Sequence, residues 1–463
     1  MTNRSHFSIV HAFDGTPIRD IKKVDAAGAD RLLTRAFALH QSTDGPLPTW
    51  QRIEILHKLK MLVEKEAEEF ALLIACEGGK PVRDARVEVT RAINGIDLAV
   101  SELERHAGSE IPMDLAPNEA RRLAFTTKEP IGVVVAVSAF NHPLNLIVHQ
   151  VVPAIAVGCP VIVKPAGPTP LNCLRLVELV LQAGLPEGWC QACPCDNDVA
   201  EILVTDPRVA FFSFIGSANV GWYLRSKLAP GTRCALEHGG VAPAIVAGDA
   251  NLDRMLPLLV KGGYYHAGQV CVSVQRIFVE NSIKTEFIDR FEAGVTALEV
   301  GDPLVDSTEV GPLIRPKELD RVDSWVQEAI TLGGGCLVGG NRLSERVYAP
   351  TVLVDPPGDA TISTSEVFGP VTCVYGFDQI EDAISQANSL PVAFQASIFS
   401  QDIDQAFHVA HHLDASAVMI NDHTAFRVDW MPFAGRRSSG LGTGGIAYTM
   451  EEISQDKMIV VRL

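Results

Sequence analysis

The chain has 463 residues, of which 47% are hydrophobic and 21% charged, a composition typical of a globular enzyme. That length exceeds what a single hydrophobic core usually holds and predicts about three domains. The formal net charge of −17 repels phosphate backbones, which excludes nucleic acid as an expected partner, and an anionic substrate would need a local basic pocket.

Cellular location is predicted from features that the sequence lacks. Residues 1–7 do not contain the apolar core of a signal peptide. The longest apolar run, residues 147–163, is interrupted by polar residues, glycine and two prolines, so we expect no membrane span. Ten cysteines are too few for a disulfide scaffold in a chain of this length. We therefore predict a cytoplasmic protein with free thiols.

Two clusters contain metal-binding side chain types, and both have an ordinary explanation. Cys190, Cys193 and Cys195 lie close together, but no second Cys or His pair follows at zinc-finger spacing. Three histidines at positions 408, 411 and 412 fall within an amphipathic helical pattern over residues 402–413, whose polar side is expected to face solvent. We predict no metal site.

The first long region, residues 26–110, is predicted to be helical. Apolar residues recur at helical spacing over residues 50–59 and again over 61–77, and the Gly-Gly-Lys-Pro sequence at 78–81 ends the second pattern. Another helix is predicted over 82–104. It contains Arg91, for which a solvated or ion-paired side chain is the ordinary expectation.

A strand-like pattern follows Pro112 and Pro117. It covers residues 121–130, and the C-terminal residues 458–463 have the same character. An apolar chain end of this kind would be an aggregation-prone edge if it were exposed. We therefore expect it to be buried in an oligomer.

A strand–helix–strand unit is predicted next. Residues 131–137 form a continuous apolar run typical of a parallel strand covered on both faces, and a helix over 144–156 leads to a second buried strand over 159–165. Side chains at the carboxyl ends of such strands face the ligand crevice. This places Asn141 and Lys164 in the crevice, although Asn-x-Pro is also ordinary turn chemistry.

A further strand over 210–214 leads to the turn Gly216-Ser217-x-x-x-Gly221, which opens a helix. Free N–H groups of a glycine turn at a helix N-terminus suit a pyrophosphate.

Glu237 then precedes His-Gly-Gly, a helical-looking segment rich in Leu and Val follows, and Cys271 comes after a Gly-Gln turn. A soft nucleophile and a separate base are what oxidation of a carbonyl requires. The alternative is a buried structural cysteine with a solvated glutamate.

Two more motifs complete a series. They are Glu366-Val-Phe368-Gly-Pro and the glycine-containing segment over 431–442. Together with the motifs around Asn141, Gly216, Glu237 and Cys271, they occur in the order found in the aldehyde dehydrogenase superfamily, which the chain resembles from Trp50 to its C-terminus. The resemblance is closest to the branch of lactaldehyde, non-phosphorylating glyceraldehyde-phosphate and phosphonoacetaldehyde dehydrogenases.

The resemblance implies an α/β fold with three parts. A Rossmann-like cofactor domain would comprise residues 1–114 and 130–237, and an α/β catalytic domain residues 238–440. A small β oligomerisation flap would comprise residues 115–129 and 441–463 and extend a sheet of a neighbouring subunit. The implied assembly is a homodimer or homotetramer.

The resemblance also implies roles for individual residues. Cys271 is the expected nucleophile, Glu237 the base that activates water, and Asn141 a donor to the oxyanion. The cofactor is expected to be NAD or NADP, because relatives that prefer NAD often carry a glutamate where this chain has Gly167. The residues expected to bind it are Lys164, Gly216, Ser217, Gly221, Glu366 and Phe368.

The expected substrate is a small anionic or polar aldehyde. His142 replaces the usual aromatic residue after the catalytic Asn, Arg91 matches an anion-binding arginine of relatives that oxidise phosphorylated or phosphonated aldehydes, and Arg427 lies in the substrate-entrance loop. Val270 stands where those relatives often have another arginine, so a singly charged semialdehyde and a hydroxyaldehyde such as lactaldehyde both stay open. Ordinary ion pairing is the alternative explanation for both arginines.

Three other functions were weighed. A dehydrogenase that passes the thioester to CoA generally lacks the base, so Glu237 argues against it. A catalytically idle binding protein on the same scaffold would not need Cys271, Glu237 and Asn141 together. A cysteine hydrolase would need a Cys-His pair, which the sequence does not indicate.

Overall fold

The computed structural model describes residues 5–116 and 121–463. Residues 1–4, part of the stretch expected to lack a signal peptide, and residues 117–120, part of the predicted oligomerisation flap, lie outside the described residues. The helices in the described part are α1 (Ala26–His40), α2 (Thr49–Lys65), α3 (Ala67–Gly78), α4 (Val82–Leu103), α5 (Asn145–Val157), α6 (Leu171–Gln182), α7 (Asn197–Thr205), α8 (Ala218–Arg225), α9 (Leu252–Tyr264), α10 (Lys284–Thr296), α11 (Pro316–Thr331), α12 (Thr361–Thr364), α13 (Ile380–Ala387), α14 (Ile403–His412) and α15 (Ile446–Glu452).

The strands alternate with these helices along most of the chain. They are β1 (His6–Val10), β2 (Pro17–Lys22), β3 (Glu110–Ile111), β4 (Arg122–Pro130), β5 (Val133–Val137), β6 (Val161–Lys164), β7 (Cys190–Ala192), β8 (Val209–Ile215), β9 (Arg233–Glu237), β10 (Ala242–Val246), β11 (Val274–Glu280), β12 (Gly335–Val338), β13 (Thr351–Val354), β14 (Val371–Phe377), β15 (Val392–Ala393), β16 (Gln395–Phe399), β17 (Ala417–Ile420), β18 (Arg436–Arg437), β19 (Gly440–Leu441) and β20 (Ser454–Arg462).

The first large sheet has the strand order β19-β9-β8-β5-β6-β7. All of its pairs are parallel except the short pair of β19 with β9. Its central strand is buried on both faces: Val134 and Ala136 pack with helices α2 to α5, while Val133 and Val135 pack with α1 and α7. This double cover explains the continuous apolar run in the sequence.

The second large sheet has the strand order β12-β13-β14-β11-β10-β16-β17. Only the pair of β12 with β13 is antiparallel. One face packs against α9, α10 and α11, and the other against α13 and α14. The predicted α/β fold class is therefore confirmed, while the predicted domain boundaries stay a prediction.

A third sheet is antiparallel and small. Strand β20 pairs with β4 over nine residue pairs, from Ser454 opposite Pro130 to Arg462 opposite Arg122, and β3 lies on the other side of β4. The strands predicted at 121–130 and at the C-terminus are thus partners of each other.

No helix in the described ranges combines the length and the apolar composition that crossing a bilayer requires.

Two predicted helical segments are corrected in detail. The pattern over 61–77 is divided between α2 and α3 at Glu66, whose carboxylate is bound by Arg175 of α6. The segment predicted as helical after Gly240 begins with the strand β10, because Ala242–Val246 lies between two parallel strands of the second sheet. Its helix begins only at Leu252, where the Asn251 side chain caps the N-terminus.

A buried carboxylate determines where helix α5 begins. Glu88 of α4 accepts hydrogen bonds from the backbone N–H groups of Leu144 (3.0 Å) and Asn145 (3.1 Å), and it forms an ion pair with the fully buried Lys80. N–H groups at a helix start have no partner within the helix, so a carboxylate there is stabilising. Since the loop that carries Asn141 leads directly into α5, Glu88 also limits where Asn141 can lie.

Candidate active site

A cavity of about 1070 Å³ lies at the carboxyl ends of β5, β6, β8 and β9 and reaches the loops of the second sheet. Parallel strands of this kind place their following loops around a ligand crevice. Of the residues predicted from the sequence, Gly221 does not line the cavity. The predicted residues that do line it are Asn141, His142, Lys164, Gly216, Ser217, Glu237, Cys271, Glu366, Phe368, Arg91 and Arg427.

Cys271 follows a turn with left-handed backbone conformation. His266, Ala267 and Gly268 have φ values of 49°, 53° and 67°, a region that costs free energy for residues with a side chain. A Cβ atom added to Gly268 would lie 2.1 Å from the carbonyl oxygen of Gly369, so this position requires glycine. The turn therefore positions the thiol at the expense of local backbone strain.

Gln269 connects this turn to two other segments. Its side chain accepts a hydrogen bond from the Ile314 N–H (2.9 Å) and donates one to the Pro312 carbonyl (3.2 Å). Its backbone carbonyl accepts a hydrogen bond from the Asn141 Nδ2 (2.9 Å). An Asn amide has two N–H groups, so the second one is left to face the cavity near Cys271.

Glu237 and Cys271 form a close pair. The Cys271 Sγ lies 3.7 Å from the Glu237 Oε1, and Glu237 is the last residue of β9. Burial raises the pKa of the Cys271 thiol well above its usual range, the Glu237 carboxylate raises it further, and Arg427 lowers it. Burial also raises the pKa of Glu237, an effect that Arg427 opposes. The pair thus holds a thiol and a carboxylate of altered proton affinity within proton-transfer reach.

Arg427 lies beside this pair without a counter-ion. Its guanidinium carbon is 3.5 Å from the centre of the Phe433 ring, a cation–π contact. Among residues 5–116 and 121–463, Arg427 forms no ion pair and no hydrogen bond, and its buried Nε has no partner. Burial lowers the pKa of Arg427 and the Glu237 charge raises it. Since a buried charge without a partner is costly, this position favours an anion in the cavity.

Arg91 has a different environment. It binds Asp429 through two hydrogen bonds, Nη2 to Oδ1 at 2.7 Å and Nε to Oδ2 at 3.2 Å. Asp429 also accepts hydrogen bonds from His149 (2.9 Å) and Asn145 (3.2 Å). Burial opposes ionisation of Asp429, but the hydrogen bond from His149 and the charge of Arg91 lower its pKa overall. Arg91 therefore has the ion-pair partner that Arg427 lacks, although both line the cavity.

His142 lines the same part of the cavity. Its ring lies 6.1 Å from the Tyr265 ring. Burial, followed by the charges of Lys80 and Arg91, lowers the pKa of His142 well below its usual range. A neutral imidazole therefore faces the cavity at neutral pH.

Glu366 is a candidate to hold a cofactor. Its Oε1 is buried and has no hydrogen-bond partner, and burial raises the pKa of this carboxyl to about 8. It lies directly against Gly239, where an added Cβ would come 1.6 Å from Oε1. An unpartnered carboxyl of this kind fits a ribose hydroxyl. Nearby Phe368 contacts Phe140 edge to face at 5.7 Å between ring centres.

The glycine turn before α8 fits the pyrophosphate of a dinucleotide. Ser217 is the N-cap residue of α8, but its side chain accepts no capping hydrogen bond, so the N–H groups of Ala218 and Asn219 stay available. The His238 Nδ1 forms a hydrogen bond of 2.9 Å with the Gly216 carbonyl, which stabilises the conformation of this turn. A Cβ added to Gly221 would lie 2.0 Å from His238 Cε1. Gly221 thus makes room for His238 instead of lining the cavity.

The two clusters with metal-binding side chain types differ in their surroundings. Cys190, Cys193 and Cys195 are buried free cysteines, and the histidines of α14 are exposed. In the ranges that the structure describes, no three histidine, cysteine or carboxylate side chains form a candidate metal centre.

Several residues of the site were not singled out from the sequence. The sequence places Gln269 only within a turn, whereas its side chain bonds, besides the nearby His266 carbonyl, to Pro312 and Ile314, more than forty positions away. Asp429 has its partner Arg91 at a separation of 338 residues. No local pattern signals contacts of this range. His238 directly follows Glu237, and its polar side chain inside an otherwise apolar and glycine-rich stretch was the signal available.

Comparisons with known proteins agree on one family. A model described as the aldehyde dehydrogenase family matches residues 1–459. The chain is 36% identical to 3-sulfolactaldehyde dehydrogenase of Priestia aryabhattai over 463 residues, which cover 100% of this chain and 96% of the relative.

Two solved structures are similar along the whole chain. Aldehyde dehydrogenase 21 from Physcomitrella patens, in complex with the reaction product succinate, has a TM-score of 0.95 and 33% identity, covering 100% of this chain and 96% of that one. Glyceraldehyde-3-phosphate dehydrogenase GapN from Methanocaldococcus jannaschii DSM 2661, complexed with NADP, has a TM-score of 0.95 and 35% identity, covering 100% of both chains.

The contact between His238 and Gly216 predicts a specific effect on cofactor affinity. His238→Leu removes the N–H donor and should raise the Kd for NAD(P)H by about tenfold, because the turn carbonyl loses its buried partner. His238→Asn keeps a donor close to the position of Nδ1 and should stay within about twofold of the wild type. Fluorescence titration measures both. Equal weakening in the two variants, with equal losses of melting temperature, would mean that His238 only fills space.

Proposed function

The chain belongs to the aldehyde dehydrogenase family, as its motifs indicated, and on that premise we propose that it oxidises a small aldehyde bearing one negative charge to the carboxylic acid. The NAD(P)-dependent oxidation of an aldehyde follows from the family. The proposal concerns the substrate charge and the residues that carry out the chemistry.

One observation carries the substrate proposal. Arg427 presents a guanidinium without a protein counter-ion to the cavity that contains the Cys271–Glu237 pair. A carboxylate or sulfonate of the substrate would supply that partner through the forked donors of the guanidinium.

A single charge is supported by two features. Arg91 is already neutralised by Asp429, and Val270 adds no charge beside Cys271. The relative that acts on sulfolactaldehyde and the similar structure that contains succinate both involve singly or doubly anionic small molecules by their names. An uncharged hydroxyaldehyde such as lactaldehyde is the second candidate, and the substrate comparison below separates the two.

In the first half of the proposed reaction, Glu237 takes the proton of the Cys271 thiol. A base is needed because burial keeps the pKa of this thiol high. The thiolate attacks the aldehyde carbon and forms a thiohemiacetal. The free N–H of the Asn141 amide and the backbone N–H of Cys271 stabilise the oxyanion, each an interaction of the kind that contributes about 10² to 10³ in rate.

In the second half, the thiohemiacetal carbon loses hydride and becomes a thioester on Cys271. Bound NAD(P) supplies the hydride acceptor. Glu237 releases the thiol proton to solvent and then takes a proton from water, the resulting hydroxide attacks the thioester, and Cys271 leaves as thiolate, which regains a proton from Glu237. One aldehyde, one water and one oxidised cofactor give one carboxylic acid, one reduced cofactor and one released proton. The presence of Glu237 beside Cys271 supports water as the acceptor rather than CoA.

We also propose a homo-oligomer in the cytoplasm. The edge of β20 not paired with β4 has no partner strand in the described chain, and Met458, Val460 and Leu463 are exposed beside it. Strand β17 forms an edge of the second sheet and is equally available for strand addition. The ten free cysteines support a reducing compartment.

The roles of Cys271 and Glu237 predict failure at different steps. Cys271→Ala should abolish hydride transfer, whereas Glu237→Gln should release a single burst of NAD(P)H and then stall, provided that bulk base can deprotonate the thiol. The burst of Glu237→Gln should become faster as pH rises, since the buried thiol must ionise without its neighbour. Stopped-flow absorbance measures both steps. Cys336→Ala is the control, because this exposed cysteine lies outside the cavity. Normal turnover by Cys271→Ala would exclude this mechanism.

The proposed role of Arg427 predicts selectivity by charge. Arg427→Ala should lower kcat/KM for succinic semialdehyde at least about tenfold more than for butyraldehyde, equivalent to about 1.4 kcal/mol. Some loss on both aldehydes is expected, because the Arg427 charge also lowers the pKa of the Cys271 thiol. Arg427→Lys should recover part of the loss, because it keeps the charge without the forked donors. Arg91→Ala should affect both aldehydes, since it leaves Asp429 without its main counter-ion. Arg342→Ala, which alters a surface ion pair, is the control. A wild type that prefers the neutral aldehyde, or equal losses on both, would contradict an anion site at Arg427.

The exposed strand predicts the assembly. Replacing Ile459 and Val461 together with lysine should dissociate the oligomer, because neighbouring charged side chains oppose strand pairing at an apolar edge. Leu343→Lys is the control, since Leu343 is an exposed apolar residue far from β20 in the sequence. Sedimentation velocity gives the molecular mass of each variant. A wild type that sediments as an active monomer would show that β20 does not form an interface.

A further inference from the structure

A second cleft lies beside the catalytic cavity. Its volume is about 560 Å³, within the range of small-molecule sites, and it lies between the start of α4 and the helices α9 and α10. Asp84, Lys261 and Tyr265 line both this cleft and the cavity that contains Cys271. These three side chains therefore form a wall that the two spaces share. The proposed reaction makes no use of the second cleft.

Much of the lining of the second cleft is apolar. Leu252, Leu256 and Val260 recur every four residues along α9, so they line the cleft from one face of that helix. Pro257 and Leu298 add further apolar surface. An apolar group of a ligand would leave water when it packs here, which favours binding.

Asp84 is the buried charged group of this cleft. It lies in the first turn of α4 and is only 9% exposed. Its carboxylate forms no hydrogen bond and no ion pair with any residue in the ranges 5–116 and 121–463. Burial raises the pKa of Asp84, an effect that the charge of Lys261 opposes, and a helix N-terminus also favours the ionised form. A buried carboxylate without a partner favours a positively charged donor in the adjoining space.

Lys261 is the other charged residue of the cleft without a partner. It lies in the last turn of α9, is exposed, and has no ion pair or hydrogen bond to the described part of the chain. The remaining charged residues are already paired, Arg83 with Glu309 at 3.4 Å and Arg290 with Asp253. The cleft therefore presents one free negative and one free positive charge on the wall that it shares with the catalytic cavity.

We propose that the second cleft binds an α-amino acid with an apolar side chain, whose ammonium group contacts Asp84 and whose carboxylate contacts Lys261. The side chain of this ligand would lie against the apolar face of α9. An α-amino acid carries its two charges on one carbon atom, and its side chain leaves that atom in a third direction. A simple amine would leave Lys261 without an anion, and a simple carboxylate would leave Asp84 without a donor.

Calorimetric titration with three probes of the same apolar shape tests this proposal. L-Leucine carries both charges, 3-methylbutylamine lacks the carboxylate, and 4-methylpentanoate lacks the ammonium group. The wild type should bind L-leucine with a Kd below about 1 mM and each of the other probes at least about tenfold more weakly. Equal affinity for the three probes, or no saturable binding of L-leucine, would overturn the proposal.

Two variants assign each charge of the ligand to its partner. Asp84→Asn should weaken L-leucine at least about tenfold and leave 4-methylpentanoate within about twofold. Lys261→Ala should also weaken L-leucine, but it should leave 3-methylbutylamine within about twofold. Arg254→Ala is the matched control, because Arg254 is an exposed cation of α9 that lines neither cavity, and it should change no affinity.

A further variant locates the bound amino acid without altering a charge. Ala297 is exposed and lines the second cleft but not the catalytic cavity, so Ala297→Trp narrows the cleft from its surface. This variant should weaken L-leucine at least about tenfold. Unchanged affinity for L-leucine in Ala297→Trp would place the ligand elsewhere and contradict the proposal. Since these titrations need neither aldehyde nor cofactor, their outcome does not depend on the proposed substrate.

Discussion

The hydrogen bonds of Gln269 hold the two halves of the active site in one arrangement. Its carbonyl binds the Asn141 amide from the first sheet, and its side chain binds the segment before α11. Cys271 is two residues away, so its position relative to Asn141 depends on these contacts. Gln269 is only 1% exposed, and loss of either partner would leave buried polar groups unsatisfied. The catalytic geometry is therefore a property of contacts between distant segments and not of the Cys271 turn alone.

Buried charges in this protein are treated in two ways. Glu88 and Glu77 are fully enclosed, and each is neutralised by N–H groups at the start of a helix, α5 for Glu88 and α6 for Glu77. Burial raises the pKa of Glu77 to about 7, so its helix-capping bonds are weakest when it is protonated in mildly acidic solution. Lys164, in contrast, is buried and Arg427 half-buried, and neither has a counter-ion among residues 5–116 and 121–463. Glu88 and Glu77 stabilise the starts of two helices. The cations without a counter-ion are instead the reason for expecting anionic ligands in the cavity.

The sequence predicted those features that depend on local pattern. The strand–helix–strand unit, the strand before the glycine turn and the helix that contains Arg91 are confirmed within a few residues. Apolar runs and glycine or proline boundaries carry that information in a short window. Conversely, the hairpin of β1 and β2 was not predicted, because its exposed strands contain few apolar residues. The strand β10 was taken for part of a helix, since short apolar runs fit either structure.

The charge environment of the site could not be predicted at all. Arg91 and Arg427 were equivalent candidates in the sequence, and only the fold shows that one faces Asp429 while the other has no counter-ion. An absence of neighbours is a property of the whole chain in three dimensions, and no motif records it.

Gly268, in the turn that precedes Cys271, limits which substitutions this enzyme can accept during evolution. Gly268 packs against the carbonyl of Gly369, which follows the segment of Glu366 and Phe368, so a side chain added at Gly268 would clash with the backbone of that segment. Mutational drift at the turn is therefore constrained by the opposing loop. The side chain of Arg427 is under no such restriction, because its guanidinium has no hydrogen-bond or ion-pair partner in the described protein. A substitution at that position can thus alter substrate preference, and it also changes the pKa of the Cys271 thiol, which the Arg427 charge lowers.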